Sequence, residues 1–316
     1  MKPIEMLTQT LELIAALAAA PLFLGWVNQC RAWLQNRRAP SIWLPYRGIR
    51  KLFHKDAVIA ERASPLFRVA PYIVFGSMVV AAGVIPSMGT RLPFTIAADA
   101  IALVGLLATA RVFLSLAAMD IGTAFGTLGA RREMMVGFLA EPALLMIIFV
   151  ASMISATTAL PTIAENLATQ TLALYPSLAF TAVAFVLVLL AENARIPIDN
   201  PTTHLELTMI HEALLLEYSA RHLALMEWAA ALKLFNYACI GFALFIPWGI
   251  STGADSPAAL LGSIPLLAVK LAATGAGLAL IETTSAKLRV FRAPEFLASA
   301  FLFAVLGLLV HLLLGA

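Results

Sequence analysis

The chain has 316 residues, of which 61% are hydrophobic and 12% charged; ordinary soluble domains carry roughly a quarter charged residues, so a water-soluble globule is excluded. The net charge of +3 does not signal nucleic acid, because the basic residues are confined to a few loops between apolar runs. Cys30 and Cys239 lie outside any C-x-x-C and offer no iron–sulfur, zinc or disulfide framework, so no metal site is expected in this chain.

A bilayer core of about 30 Å needs roughly 20 apolar residues per helix. Scanning for such runs predicts an all-α polytopic membrane protein with eight spans, at about 7–28, 66–86, 96–118, 138–160, 171–191, 225–249, 260–281 and 296–314. Pro71 and Gly76 punctuate the second span, Pro247 closes the sixth, and Pro265, Gly275 and Gly277 lie in the seventh; helix neighbours or water satisfy the freed backbone groups, so none divides its span. The first span has Lys2 before it and Ala18–Ala20 within it, like a cleaved signal, but Glu5 and Glu12 are unusual in one. Cleavage would also leave a strongly basic loop on the translocated side, so the helix is expected to stay.

The loop after the first span holds Arg31, Arg37, Arg38, Arg47, Arg50, Lys51, Lys55 and Arg62. Alternation places Arg131, Arg132, Arg195, Arg221, Lys287, Arg289 and Arg292 on the same side, while the opposite loops hold only Arg91. By the positive-inside rule that side is cytoplasmic and both termini lie outside. The chain reads as one membrane domain, 1–316, with a basic cytoplasmic loop at 29–65 and an acidic cytoplasmic loop at 192–224. Trp33 and Trp43 suit the first of these to the membrane interface.

Within the acidic loop, Pro197 ends the fifth span, and Asn200 with Pro201 predicts a helix over about 201–220 that is too polar to span. At 100° per residue Glu206 and Glu217 fall within about 20° of each other, with His204 and His211 on nearly the opposite side. The histidines have no established metal spacing and read more readily as satisfied interface residues than as ligands. Glu141 opens the fourth span, Glu192 ends the fifth, Glu227 opens the sixth and Glu282 ends the seventh, all towards the cytoplasmic side, while Arg111, Asp99 and Lys270 lie in or near other spans. Ionisable groups in hydrocarbon face a hydrated cavity or a partner of opposite charge, and clustered buried carboxylates acquire affinities for protons suited to carrying them. The plainer reading is that the boundary glutamates are solvated by headgroup water and that Arg111 and Lys270 make structural pairs.

Residues 191–219 run AENARIPIDNPTTHLELTMIHEALLLEYS, which resembles the signature of the complex I subunit 1 family: an acidic residue, R-x-P-x-D, several acidic positions, then E-Y-S. The sequence Ala70-Pro71, the position of Glu141 and the run E-x-x-x-A-K-x-R-x-F-R-x-P-E from Glu282 to Glu295 extend the likeness over most of the chain. Ile198 stands where respiratory members usually carry Phe, and the D-x-P-T-T-H-L-E-L-T-M-x-H-E form from Asp199 to Glu212 resembles the group 4 [NiFe]-hydrogenase branch.

The resemblance implies a non-catalytic membrane-anchor and ion-coupling subunit of a multi-subunit hydrogenase-like oxidoreductase in a bacterial or archaeal inner membrane. Ni–Fe and iron–sulfur clusters are then expected in partner chains: hydrogenase-like large and small subunits and a ferredoxin-like subunit, beside antiporter-like membrane subunits. On that reading Glu192, Arg195 and Asp199 shape the loop that docks the redox arm. Glu141, Glu206, Glu212, Glu217 and Glu227 form a proton relay with Glu192, and His204 and His211 are candidate carriers because imidazole titrates near neutral pH. Quinone binding stays open, as does H⁺ against Na⁺. So do a quinone-site role in a respiratory NADH dehydrogenase-like complex, a purely structural anchor, and a stand-alone secondary transporter using Lys270.

Overall fold

The computed structural model describes residues 3–90, 92–93, 99–169, 175–199, 209–251 and 257–314. Its helices in chain order are α1 (Pro3–Leu34), α2 (Leu44–Phe53), α3 (Pro65–Val84), α4 (Ala100–Asp120), α5 (Ala124–Ser155), α6 (Leu160–Thr169), α7 (Pro176–Glu192), α8 (His211–Leu215), α9 (Ala220–Phe245), α10 (Pro257–Thr284) and α11 (Ala293–Leu314). Among the described residues seven helices are long and apolar enough to cross a membrane, and the remaining expected span, α7, has 17 described residues. At 1.5 Å per residue α7 reaches about 25 Å, just short of the hydrocarbon thickness. This is an all-α integral membrane protein.

Local chemistry sets several helix starts. Ser64 caps α3 by accepting the N–H of Leu66, with Pro65 at the first helical position, where a missing N–H costs nothing. Asp99 caps α4 by accepting the N–H of Ala102 at 2.9 Å, so this acidic residue is a cap and not an intramembrane charge. Pro71 and Pro265 lie inside α3 and α10 without ending them.

The bundle is centred on α9, which is buried along most of its length and packs against α1, α2, α3, α6 and α7. α3 and α4 pair, α5 joins them, and α7 with α11 closes that side; α10 lies against α1 and, like α11, turns most of its apolar surface outward. Close approach of α10 to α1 depends on Gly275, where a Cβ would run into the Trp26 ring, and Trp26 Nε1 donates to the Ala272 carbonyl at 2.9 Å. On one face the segments after α3 and α9 meet: Ser251 N–H donates to Met88 O at 2.8 Å, and Thr90 N–H donates to Ser251 O at 3.2 Å. The opposite, basic face carries α2, α8 and the connections 193–199 and 285–292.

Two expectations change. The fourth span does not begin near 138 but fourteen residues earlier, at Ala124, so Glu141 sits in mid-helix. Arg131, Arg132 and Glu133 interrupt the hydropathy there, yet the helix continues because Glu133 and Arg132 find partners in the bundle. The polar helix expected over 201–220 is not continuous: residues 200–208 lie outside the described residues, and beyond them only His211–Leu215 is helical. Tyr218 and Ser219 interrupt it for a tertiary reason. The Tyr218 ring stacks on Phe67 at 4.1 Å and its hydroxyl donates to Phe67 O at 3.1 Å, while Ser219 Oγ donates to Val58 O and accepts the Val58 N–H. The E-Y-S segment thus pins the acidic loop to the basic one.

Candidate functional site

Arg111, buried near the middle of α4, is the hub. Its Nη1 donates to Glu141 of α5, its Nη2 donates to Glu192 at the end of α7, and its Nε faces Glu133 of α5 at 3.6 Å. The spacing on α5 explains the seat: Glu133, Gly137 and Glu141 recur every four residues, so they share a helix face. A Cβ at Gly137 would overlap the guanidinium. The glycine therefore opens a slot between two acids. On α9, Lys233 places Nζ 3.1 Å from Glu192, and Tyr237, one turn further, hydrogen-bonds the same carboxylate. Three carboxylates and two cations thus meet across four helices, each charge paired, as low-dielectric surroundings require.

A second cluster fixes the loop after α7. Glu282 of α10 receives Arg195 Nη1 at 3.1 Å and Arg31 Nη1 at 3.4 Å. Asp199 pairs with Lys287 at 3.1 Å and accepts the N–H groups of Ile210 and His211 at 3.1 and 3.2 Å, while Leu288 N–H donates to Pro197 O at 2.8 Å. Arg195 and Asp199 are buried at 5% and 2% exposure. Their side chains turn inward and build the loop.

Between the two clusters lies a cavity of about 380 Å³, with Arg111, Glu133, Glu192, Arg195, His211 and Lys233 on its polar wall. Its other walls are apolar, including Leu24, Val74, Met78 and Leu107. Burial pushes the His211 imidazole below its ordinary value of 6.5; Lys233 acts in the same sense, and Glu133, Glu212 and Asp199 oppose it. Burial, helped by the Asp120 carboxylate, raises the Tyr218 phenol.

The structure brings together Glu141, Glu192 and Arg111, with His211 on the same cavity, and adds Glu133, Lys233 and Tyr237, which sequence reasoning had not singled out. A glycine one turn from an acid on either side, as in Glu133-x₃-Gly137-x₃-Glu141, was the available signal. Glu212 is half-buried beside His211, whereas Glu217 and Glu227 are exposed at the basic face. His204 and Glu206 lie outside the described residues. Lys270 is apart from all of these: its Nζ donates to Ile246 O at 2.6 Å, just past the end of α9, and sits 5.6 Å over the Phe242 ring. Among the described residues no group of three or more His, Cys, Asp or Glu is arranged to hold a metal ion.

The NADH dehydrogenase family model matches residues 8–313. The chain belongs to that family. Two relatives of this NADH dehydrogenase family chain, both from Escherichia coli K12, carry hydrogenase-type names. Hydrogenase-4 component C is 36% identical over 239 residues, covering 75% of this chain and 74% of the relative. Formate hydrogenlyase subunit 4 is 31% identical over 297 residues, covering 94% and 95%. The fold is also that of a chain in the membrane-bound sulfane sulfur reductase, an archaeal respiratory membrane complex, with a TM-score of 0.82 at 19% identity over 96% of this chain and 97% of that one.

Proposed function

We propose that this chain is the membrane-anchor and ion-coupling subunit of a multi-subunit hydrogenase-type oxidoreductase in a bacterial or archaeal cytoplasmic membrane. The observation that carries the reading is the Arg111 cluster: Glu133, Glu141 and Glu192 converge on one guanidinium, Lys233 pairs with Glu192, and the cluster opens onto a cavity at the basic face. The names of the two E. coli relatives support the hydrogenase setting. The positive-inside rule makes the basic face cytoplasmic, with both termini outside.

The soluble redox arm docks on that face. Its large and small hydrogenase-like subunits and a ferredoxin-like subunit hold the Ni–Fe and iron–sulfur centres, and antiporter-like subunits flank the bundle within the membrane. Arg195 and Asp199 give the docking loop its shape through Glu282 and Lys287. Exposed Glu217 and Glu227 collect protons at the surface, together with Glu206 and His204 of the acidic segment. Glu212 and His211 hand them to the cavity, and Glu192 and Glu141 exchange them there under the control of Arg111 and Lys233.

A partner change in the redox arm shifts the field on this paired cluster, and a proton moves to restore the balance of charge. Na⁺ would be served by the same carboxylates. A second reading draws on the cavity's apolar wall: about 380 Å³ lies within the size range of sites for small ligands, and the head of a quinone would meet His211 and Arg195 there.

Gentle purification of the tagged chain, with mass spectrometry and metal analysis of what co-elutes, tests the assignment. Hydrogenase-like and ferredoxin-like chains with Ni and Fe are expected. The same partners without Ni point to the quinone-linked reading, and recovery of the chain alone, active in ion flux, overturns both. Glu141→Gln and Glu192→Gln are expected to leave the complex assembled while cutting the ions moved per electron at least tenfold; normal coupling in both would leave a purely structural anchor.

A further inference from the structure

On the side of the bundle away from the Arg111 cluster, α1 carries a carboxyl group with no assigned role. Glu12 is 1% exposed, its Oε1 accepts the N–H groups of Met88 and Gly89 at 2.7 and 2.6 Å, and its Oε2 is buried with no hydrogen-bond partner among the described residues. Among the described residues it has no cation within ion-pair distance, and the Lys270 amine is held by Ile246 O and Phe242. Asn236 of α9 has the same half-satisfied state: Nδ2 donates to Met78 O at 2.9 Å, and Oδ1, at a residue 1% exposed, is buried without a partner among the described residues.

These two groups belong to one seam. α1, α3 and α9 pack against one another. Asn236 lies one turn beyond Lys233, and its partner Met78, like Lys233, lines the cavity. Cys239, a further three residues along α9, or about 4.5 Å, is within electrostatic range of Glu12. Gln9, one turn from Glu12 on α1, donates to Gly83 O at 2.9 Å, so the polar lining continues along α1 beside the buried turn 87–90. A buried oxygen without a protein partner is normally satisfied by water when polar groups on both sides can hold it. Along α9 the order is Lys233 at the cavity, then Asn236, then Cys239 within range of Glu12.

We propose that the α1–α3–α9 seam is a hydrated proton path running from the cavity to the opposite face, with Glu12 as its outer proton-carrying group. A proton reaches Glu12 Oε2 from water held at Asn236 Oδ1 and leaves past the turn at Met88 and Gly89, with Oε1 keeping that turn in place throughout. The path makes this chain a complete transmembrane route and not only the inlet to neighbouring antiporter-like subunits. Its use in turnover rests on the ion-coupling reading above, but its hydration does not.

The test therefore has two arms on the intact complex. Infrared spectra recorded after transfer to D₂O are expected to show a carboxyl band, missing in Glu12→Gln, that shifts within minutes; Asn236→Leu is expected to slow that shift at least tenfold. Absence of such a band, or exchange only over hours, overturns the seam with no recourse to Asn236→Leu, whose folding is less assured. Glu12→Gln keeps an oxygen for the two N–H groups and so preserves the turn.

In sealed vesicles driven by reduced methyl viologen, Glu12→Gln is expected to lower proton release per electron at least fivefold at unchanged electron transfer. Normal release in Glu12→Gln alongside loss in Glu192→Gln overturns the seam and leaves the coupling role standing. Normal release in Glu192→Gln and Glu141→Gln together with loss in Glu12→Gln overturns the cluster's role and keeps the seam.

Discussion

Arg111 and Lys270 are both cations set in apolar helices, and the bundle settles them in opposite ways. Arg111 is met by three carboxylates from α5 and α7. Lys270 meets no carboxylate within ion-pair distance among the described residues and is satisfied by a carbonyl at the end of α9 and an aromatic face. A half-buried lysine with a flexible stem reaches a helix terminus, where the backbone dipole favours a cation. A planar guanidinium with five donors near mid-membrane needs several acceptors at once. A charge in an apolar run therefore marks a cost, and its partners decide whether that cost was met for structure or for ion chemistry.

Arg111→Met is the harshest way to break the contrast. It leaves Glu133, Glu141 and Glu192 facing one lysine, and removing one partner of a buried pair typically costs about 3–5 kcal/mol. The complex should lose thermal stability in detergent and much of its yield. Gly137→Leu, which fills the guanidinium's slot, should approach the same loss, and a normal unfolding temperature for Gly137→Leu would refute the seat described here.

Glu192→Gln should be milder for stability, about 1.5–3 kcal/mol from weakened charged hydrogen bonds, as read by the same melting curve. Its coupling defect should exceed its stability defect.

pH sharpens the comparison because His211 touches one site and not the other. Its folded value is depressed, so the unfolded chain binds the extra proton first. Stability from the neutral imidazole is full above the ordinary 6.5 and is lost as pH falls from there towards the folded value, with a slope of up to about 1.4 kcal/mol per pH unit. Melting temperature across this window should fall in the wild type and flatten in His211→Gln.

Lys270→Met should do least, about 0.3–1 kcal/mol from the lost interaction with a helix end, with ion coupling unchanged. A coupling defect as large as that of Glu192→Gln would revive the stand-alone transporter reading.

How far the sequence reached differs between fold and site. The spans were legible because hydropathy is a local sum, and prolines such as Pro71 and Pro265 did not mislead once neighbouring helices were allowed to support the backbone. The fourth span's start was missed because Arg131, Arg132 and Glu133 look like a loop until their partners are known. The acidic loop resembled one continuous helix because its leucines and glutamates have helical propensity, which the Tyr218–Phe67 stack overrides. Arg195 and Asp199 were recognised by motif, but their inward pairing with Glu282 and Lys287 was not.

Sequence by itself determined that this protein lives in a membrane, roughly where it crosses, and which family's signature it carries, since composition, run length and motif are properties of neighbouring residues. Only the tertiary structure decided that Arg111 of α4 meets Glu192, 81 positions away, through the gap left by Gly137, and that Lys270 stands outside the cluster. The reason is physical: in a low-dielectric interior a charge's behaviour is set by the few groups within about 4 Å, and helix packing chooses those groups.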